Sequence, residues 1–488
     1  MIAGNKTHRN DKIQRWLGPV CLALSTSGIW WIWMRVDPRM MAIHYVSGNL
    51  FRNSICGFRT FELFESLYAA LPFMGWIAAG STLISIGVTL LRKRWSGFVL
   101  VFGFTAIIYA LGASLNIREQ SEAPHFIYLA DAFNHGNLVL EERPPNWQEN
   151  DWTKYKDEWS VSFPPAPAML MMPFVEVFGK SFNDVAFTLI LGAFNAGLFY
   201  ELILKVVNNL KDKFVLSKPI QITLTIAFSF GTVHWWLSSF GQVWFTAQIV
   251  ATFFLLLVLL ETFSKCRPFW AALWLSLAAL SRPPILFALP AIIWLLLLKN
   301  SKQDLTAGLI PLLVAGLGVG FYNYLRYDNP FELGYKFMKL EDLLSKRVVA
   351  TGSFNPIYLA ENLQNAVWKI PKFISTCPYL VMDGWGLSIL VSTPVLLLII
   401  NAPLRERVVR MSLIGAFLVA IPSLLYYNTG YLQAGYRYAL DFLIFLFLPV
   451  IAATRGKLSW ITIILVILSV VMGFISLINF YLLQKGTV

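Results

Sequence analysis

The chain has 488 residues, of which 57% are hydrophobic and only 14% are charged, whereas soluble globular domains carry about 25% charged residues. This composition excludes an ordinary soluble protein and predicts an integral membrane protein. The 39 basic and 27 acidic residues give a net charge of +12, but basic residues at the cytoplasmic ends of membrane spans account for such an excess, so nucleic-acid binding is not expected.

Apolar segments long enough to cross a bilayer, which takes about 20 residues, recur along the chain. They predict an all-α fold, a polytopic membrane helix bundle of about 11–13 spans. The predicted spans are 16–35, 67–91, 97–115, 182–204, 219–237, 243–263, 305–325, 387–401, 411–427, 440–453 and 458–483. In addition, 269–298 is predicted to form two short half-membrane helices or a re-entrant hairpin.

Lysine and arginine concentrate in the short connections, which predicts that these connections and the N-terminus lie in the cytoplasm. The long connections then face the outside of the plasma membrane, at 36–66, 116–162, 326–386 and 428–439. Amphipathic pieces of 326–386 predict juxtamembrane helices on the outer surface. Residues 1–96 are predicted to form a two-span extension of a membrane domain at 97–488.

The connection 116–162 is the most polar part of the chain, since it carries nine of the 27 acidic residues between hydrophobic spans. A short helix is predicted from Pro124 to about His135, because proline favours the first helical turn and Gly136 follows the end. Its apolar stripe, at spacings of three and four residues, indicates packing against the bundle. Carboxylates held at one membrane face make this connection the expected location of an active site.

A general base requires a carboxylate that is held within reach of the proton it takes and is shielded from bulk water. Glu122, Asp131 and Asp151 are the candidates, because each lies outside the hydrocarbon but near a span or an aromatic cluster. The alternative for each of them is a solvated charge or a helix cap. Asp184, which opens a span, is either a cap of that helix or a functional residue.

Two arginines near the predicted outer face run against the positive-inside trend. Arg326 and Arg437 have tyrosines as near neighbours, and a guanidinium offers bidentate hydrogen bonds to phosphate. They are candidates for binding a lipid phosphate, with Tyr436 and His234 as further candidates. The alternatives are snorkelling anchors for the arginines and a hydrogen-bonded interface residue for His234. Arg282 is predicted to lie nearer the cytoplasmic side and to be structural.

Several common catalytic motifs are absent from the sequence. There is no glycine-rich phosphate loop of the Walker type, no spacing typical of zinc ligands and no Ser-His-Asp elbow. An ATP-driven mechanism is therefore not expected, and no metal ligands are predicted.

Four short segments resemble a known family. Residues 122–136 begin with EAPHFIYLADAF and end with Gly136. This pattern of residues resembles the first outer loop of the GT-C superfamily of integral-membrane glycosyltransferases, in particular the branch near the protein O-mannosyltransferases and aminoarabinose transferases. The family opens this loop with Asp-Glu, where the chain has Glu122 and Ala123, and Phe126 replaces its Tyr. The other segments, similar to those of uncharacterised prokaryotic relatives, are VSFPPAP at 161–167, NYLR followed by NPFELGY within 323–335, and GYRY at 435–438.

The resemblance covers about 97–453 and implies a GT-C fold. It also implies inverting transfer of a sugar from a polyprenyl-phosphate donor to a lipid, glycan or protein acceptor at the outer face, and it leaves the need for a divalent metal undecided. Glu122 is the first choice for the base, followed by Asp131 and then Asp151. Arg326 and Arg437 would stabilise the departing lipid phosphate.

The main alternative is a non-enzymatic transporter of a lipid or polysaccharide. Transporters commonly show inverted repeats and an ionisable residue near the membrane midplane, and the sequence shows no such repeat. An apolar groove for a lipid tail that opens toward the outer loops would favour the enzyme. A purely structural assembly partner would leave the outer arginines and carboxylates unexplained.

Overall fold

The structure is a computed structural model, and it describes residues 3–35, 54–55, 58–90, 96–114, 116–144, 151–212, 214–299, 305–375 and 379–484. The first α-helices in these ranges are α1 (Ala3–Arg35), α2 (Thr60–Leu90), α3 (Ser96–Gly112), α4 (His125–Asn134), α5 (Ala166–Phe178), α6 (Asp184–Asn209), α7 (Lys218–Phe230), α8 (His234–Phe240) and α9 (Val243–Phe263). The next are α10 (Pro268–Ala279), α11 (Leu289–Lys299), α12 (Leu309–Tyr327), α13 (Asp342–Thr351), α14 (Leu359–Leu363), α15 (Ile389–Ser392), α16 (Arg407–Leu424), α17 (Leu440–Thr454) and α18 (Trp460–Gln484). Short antiparallel hairpins pair β1 (Ser54–Ile55) with β2 (Phe58–Arg59), β3 (Thr153–Tyr155) with β4 (Glu158–Ser160), and β5 (Lys372–Phe373) with β6 (Leu380–Val381).

Eight helical segments within the described ranges are long and apolar enough to cross a membrane. They are Trp16–Met34, Glu65–Thr89, Asp184–Asn209, Val243–Phe263, Thr306–Tyr327, Arg407–Leu424, Arg437–Thr454 and Trp460–Gln484. Three shorter apolar helices accompany them, at Gly97–Gly112, Pro268–Ala279 and Pro283–Leu298. The prediction of an all-α, multi-pass membrane bundle is confirmed.

Two predicted spans are interrupted. The span at 219–237 divides into α7 and α8 at residues 231–233, where the Thr232 hydroxyl accepts a hydrogen bond from the backbone N–H of His234 at 3.1 Å. The span at 387–401 contains only the four-residue α15, followed by a 3₁₀ segment that begins at Pro394. Proline cannot donate the backbone hydrogen bond that would continue the helix.

The bundle is centred on α9 and α17, since 78% and 89% of the residues in their apolar windows are buried, whereas the figure for α12 is 17%. At the N-terminal end of the chain, α1 packs against α2 and α2 packs against α3. The division between an extension at 1–96 and a domain from 97 onward stays a prediction.

The bundle has two ends, and α6 joins them. Its 26 residues rise about 39 Å, from Asp184, which accepts hydrogen bonds from Ser121, to Asn209, which donates one to the carbonyl of Phe263 at the end of α9. We call the end at Asp184, which carries the connections 116–162 and 326–386, the loop face, and the other end the opposite face. The assignment of the loop face to the outside stays a prediction.

Candidate active site

One acidic side chain of the loop face lies in an aromatic and cationic environment. Asp151 is half-buried, and its carboxylate accepts a hydrogen bond from the indole of Trp244 in the first turn of α9. Burial raises the pKa of Asp151 to about 6, although the Arg437 guanidinium and the Trp244 hydrogen bond act in the opposite direction. A carboxyl group with such a pKa is ionised at neutral pH and retains appreciable basicity, as a general base requires.

Backbone pairing between the two long loops holds Asp151 in place. Its N–H donates to the carbonyl of Lys339 at 2.9 Å, and the N–H of Lys339 donates to the carbonyl of Trp152 at 3.0 Å. Thr153 extends this pairing through a bridge to Met338. Asp151 has a φ of 62°, a left-handed conformation that Asp adopts more readily than most residues other than glycine.

The ring of Trp152 anchors the same segment to α4. Trp152 is fully buried, and its ring stacks on that of His125 at 3.8 Å between centroids and 12° between planes. Phe163 closes the other side of His125 with an edge contact at 5.9 Å. The helix predicted at the start of the polar connection therefore supports the candidate base through ring packing.

Arg437 is the cation whose charge acts on this carboxyl group, and it is buried. It is only 6% exposed, its Nε has no hydrogen-bond partner among the described residues, and it forms no salt bridge with any of them. Its guanidinium lies over the rings of Trp244 and Tyr438, at 5.7 and 5.3 Å from their centroids. Because burying an unpaired charge is costly, a buried guanidinium of this kind favours the binding of an anion.

Gly430 makes room for that guanidinium. It has a φ of 97°, and a Cβ at this position would lie 2.8 Å from the Nε of Arg437. The backbone of Arg437 is fixed separately, because its N–H donates to the side-chain oxygen of Gln433 at 3.0 Å and its carbonyl accepts from Gln248 at 2.7 Å. The arginine thus starts from a rigid backbone, and only glycine suits the chain beside it.

A buried ion pair lies next to Arg437 and corrects one prediction. Arg282 donates to Asp441 at 2.8 Å, and Asp441 is one helical turn beyond Arg437. The structure thus places Arg282 near the loop face, and the prediction that it lies toward the opposite end of the bundle, which the sequence assigns to the cytoplasm, is wrong. The reason is that α10 and the helix that follows it form a hairpin whose turn approaches the loop face, where the carbonyl of Leu280 accepts from Ala166 at 3.0 Å.

An apolar groove of about 430 Å³ runs between the α10 hairpin and α12. Its walls include Leu280, Pro283, Leu286, Leu312, Val319 and Tyr322. At its polar end the groove reaches Arg326 and Tyr335, and the Tyr335 hydroxyl is close enough to Asp151 and Arg282 for their charges to affect its pKa. Burial raises that pKa to about 12, so the hydroxyl stays protonated at neutral pH and can donate.

The other two predicted bases have different surroundings from Asp151. Glu122 is exposed immediately before α4. Asp131 forms an ion pair with Lys180 at 3.3 Å, which already compensates its charge, and the ring of His135 lies 4.0 Å away. Asp184 holds the loop, because its carboxylate accepts from the N–H and hydroxyl of Ser121 at 2.9 and 2.6 Å.

The predicted phosphate-binding residues are divided between different environments. Arg326 is buried at the head of the groove, where it donates to the carbonyl of Val161 at 2.8 Å and lies 3.7 Å from the centroid of the Tyr322 ring. Tyr436 is buried beside Arg437, with a ring contact to Tyr438 at 5.7 Å.

His234 lies inside the bundle, away from the contacts of Arg437. Its ring nitrogens meet the Tyr109 hydroxyl at 2.8 Å and the Asn195 amide at 3.4 Å. Phe228 packs against the same ring at 4.9 Å between centroids. These partners satisfy the imidazole without a ligand, so the structure does not join His234 to the group around Asp151.

Sequence reasoning overlooked three neighbours of the site: Trp244, Tyr335 and the Arg282–Asp441 pair. An arginine amid apolar residues must pair or face water, so the position of Arg282 implied a partner. Asp441, one helical turn after Arg437, was an acidic residue that could have been considered for that role. Trp244 and Tyr335 carry no comparable signal, because aromatic residues are frequent throughout the chain.

Comparison with known proteins identifies no relative of the chain. No protein-family model matches the chain, and no significant match is found among curated proteins or solved structures. Among the described residues, no group of three or more His, Cys, Asp or Glu side chains could hold a metal ion. The chain is a multi-pass membrane protein with a carboxylate, a buried guanidinium and an apolar groove at one face.

Proposed function

We propose that the chain is a membrane glycosyltransferase of the GT-C type, which moves a sugar from a polyprenyl-phosphate donor to an acceptor hydroxyl at the loop face. The single observation that carries the proposal is the placement of Asp151 beside a buried Arg437 without a salt-bridge partner among the described residues. The apolar groove that ends at Tyr335 supports it, because a polyprenyl chain needs an apolar path leading to its phosphate.

In the proposed reaction Asp151 takes the proton of the acceptor hydroxyl while the acceptor oxygen bonds to the anomeric carbon. The bond between that carbon and the phosphate oxygen breaks, and its electron pair leaves with the lipid phosphate. Arg437 stabilises the developing charge on this phosphate. Inversion requires the base and the leaving group on opposite faces of the sugar, and the sugar would lie between the two side chains.

The local geometry changes the order of preference among the bases. Asp151 becomes the first choice because its pKa is raised and Arg437 is close. Glu122 is exposed, and Asp131 is paired with Lys180. With the N-terminus in the cytoplasm, as the distribution of basic residues predicts, the reaction would take place at the outer face of the plasma membrane.

Replacing Arg437 by Gln is expected to lower kcat/KM for sugar transfer by about 100-fold, as the loss of one donor to a developing anion does. The thermal unfolding temperature should change little, because Arg437 forms no salt bridge with any described carboxylate and its charge acts on Asp151 only through space. The measurement is transfer from a panel of polyprenyl-phosphate sugars by the purified protein, alongside thermal unfolding in detergent.

Arg347→Gln is the matched control, because Arg347 belongs to the loop face and pairs with Glu361 outside the site. Its activity should stay near that of the unaltered protein. Undiminished transfer by Arg437→Gln would remove Arg437 from the mechanism.

The pH dependence of transfer should report Asp151. Because a general base works in its ionised form, kcat/KM is expected to rise with pH through about 6 and to level off above neutrality. The pKa of the folded protein lies above the ordinary value of 3.8, so this carboxyl group also makes folding stability fall as pH rises between about 4 and 6. Asp151→Asn should flatten that part of the stability profile, and an unchanged profile would contradict the assignment.

A further inference from the structure

A second cavity, of about 570 Å³, lies at the opposite face, far from Asp151. It opens where the ends of α6, α9 and α11 meet the start of α16. We name it the opposite-face pocket, and its lining residues are Asn209, Lys211, Phe263, Leu295, Leu298, Arg405, Glu406, Arg407 and Val408.

Three cations form the rim of this pocket. Lys211, Arg405 and Arg407 are all exposed, so their charged groups are free to move toward a ligand. A guanidinium makes bidentate hydrogen bonds to phosphate, and an ammonium adds a mobile point charge. The positive-inside trend explains basic residues at this face, but it does not explain why they surround a cavity.

The one acidic residue of the pocket lining, Glu406, is already bonded to the backbone of the chain. Glu406 is only 5% exposed, and its two carboxylate oxygens accept the backbone N–H groups of Lys211 and Asp212 at 3.0 and 2.9 Å. These hydrogen bonds fix the connection after α6 to the start of α16. The pocket is therefore preformed, and its carboxylate charge is already stabilised by the chain.

The floor of the pocket is apolar. Phe263 and Leu295 are buried there, with Leu298 partly buried beside them. Asn209 ties this floor together by donating to the carbonyl of Phe263 at 2.8 Å. Phe263 and Leu295 are only 4% and 3% exposed, so the apolar surface that is open to a ligand is mainly that of the partly buried Leu298, next to the cationic rim.

We propose that the opposite-face pocket binds the phosphate-bearing headgroup of an anionic membrane lipid, with Lys211, Arg405 and Arg407 contacting the phosphate and the partly buried Leu298 lying beside the start of the chains. Cationic pockets between membrane helices bind such headgroups, and anionic lipids are concentrated in the cytoplasmic leaflet. The site is separate from the transfer reaction, and its test does not require the reaction to be known.

The full-length protein is placed in nanodiscs of phosphatidylcholine with or without phosphatidylglycerol. Phosphatidylglycerol should raise the thermal unfolding temperature, and mass spectrometry of the intact protein should detect phosphatidylglycerol retained in preference to phosphatidylcholine. The double variant Arg405→Gln/Arg407→Gln should lose both effects, with an affinity at least about tenfold lower, since hydrogen bonds to charged groups are strong. The unfolding temperatures in pure phosphatidylcholine show whether the variant is folded.

Arg410→Gln is the matched control, because Arg410 is an exposed arginine of α16 outside the pocket lining, and it should behave like the unaltered protein. Equal retention of the two lipids, or loss of the preference in the control as well, would overturn the proposal. Inorganic phosphate added to phosphatidylcholine nanodiscs forms a third arm. If phosphate stabilises the protein and phosphatidylglycerol does not, the ligand is a free anion and the lipid assignment is wrong.

Discussion

Replacing Asp151 by Asn is expected to lower the rate of sugar transfer by about 10²–10⁴-fold, because a positioned general base contributes about that much. The amide is almost the same size as the carboxyl group and can still accept the hydrogen bond of Trp244, so folding and donor binding should persist. The measurement is single-turnover transfer from a polyprenyl-phosphate sugar, with the thermal unfolding temperature recorded in parallel.

Glu122→Gln and Asp131→Asn are the matched comparisons, since they remove charge from the same polar connection at an exposed position and at an ion pair. Both should transfer sugar at rates within a few-fold of the unaltered protein. A large loss in either variant, with Asp151→Asn active, would return the role of base to that residue. Full activity in all three would refute a carboxylate base in this loop.

The class of fold was predictable because it depends on composition and on long apolar segments, which the bilayer makes diagnostic. Interruptions were less accessible to sequence reasoning. The break between α7 and α8 covers only residues 231–233, and the span at 387–401 was misjudged because hydropathy does not register the backbone effect of Pro394.

The composition of the site could be predicted in part. Asp151 was named among three carboxylates, but its rank depends on pairing between Lys339 and the segment at Asp151, nearly 190 residues apart, which no local pattern encodes. The resemblance favoured Glu122 because of the sequence pattern at 122–136. A sequence pattern determines neither the exposure of a side chain nor its distance from Arg437.

Arg282 illustrates how a correct premise led to a wrong location. A charged residue in apolar sequence does need a partner, and Asp441 is that partner. The depth was misjudged because α10 has only 12 residues and rises about 18 Å, short of the roughly 30 Å of a hydrocarbon core. The turn is therefore reached by a short helix, and loop segments such as Pro165 descend to meet it.

Breaking this pair gives the other large effect that we expect. Replacing Arg282 by Gln should lower the free energy of unfolding by about 3–5 kcal/mol, because it leaves the charge of Asp441 buried without its partner. Unlike Arg437, which has no salt-bridge partner to abandon among the described residues, Arg282 is a structural cation. The measurement is the thermal and denaturant unfolding of the purified protein in detergent.

Two further variants separate charge from packing. Arg118→Gln removes an ion pair with Glu65 whose two side chains are 51% and 50% exposed and should change stability little, since exposed pairs contribute little. The double variant Arg282→Met/Asp441→Leu should recover most of the lost stability, because well-packed apolar residues can replace a buried pair.

Its transfer activity should remain low if the pair also orients Tyr438, whose ring lies 5.3 Å from both the Arg282 and the Arg437 guanidinium groups. Recovery of stability together with full activity would instead restrict the pair to holding the α10 hairpin against α17, and the geometry of Arg437 would then rest on Gln248 and Gln433 alone.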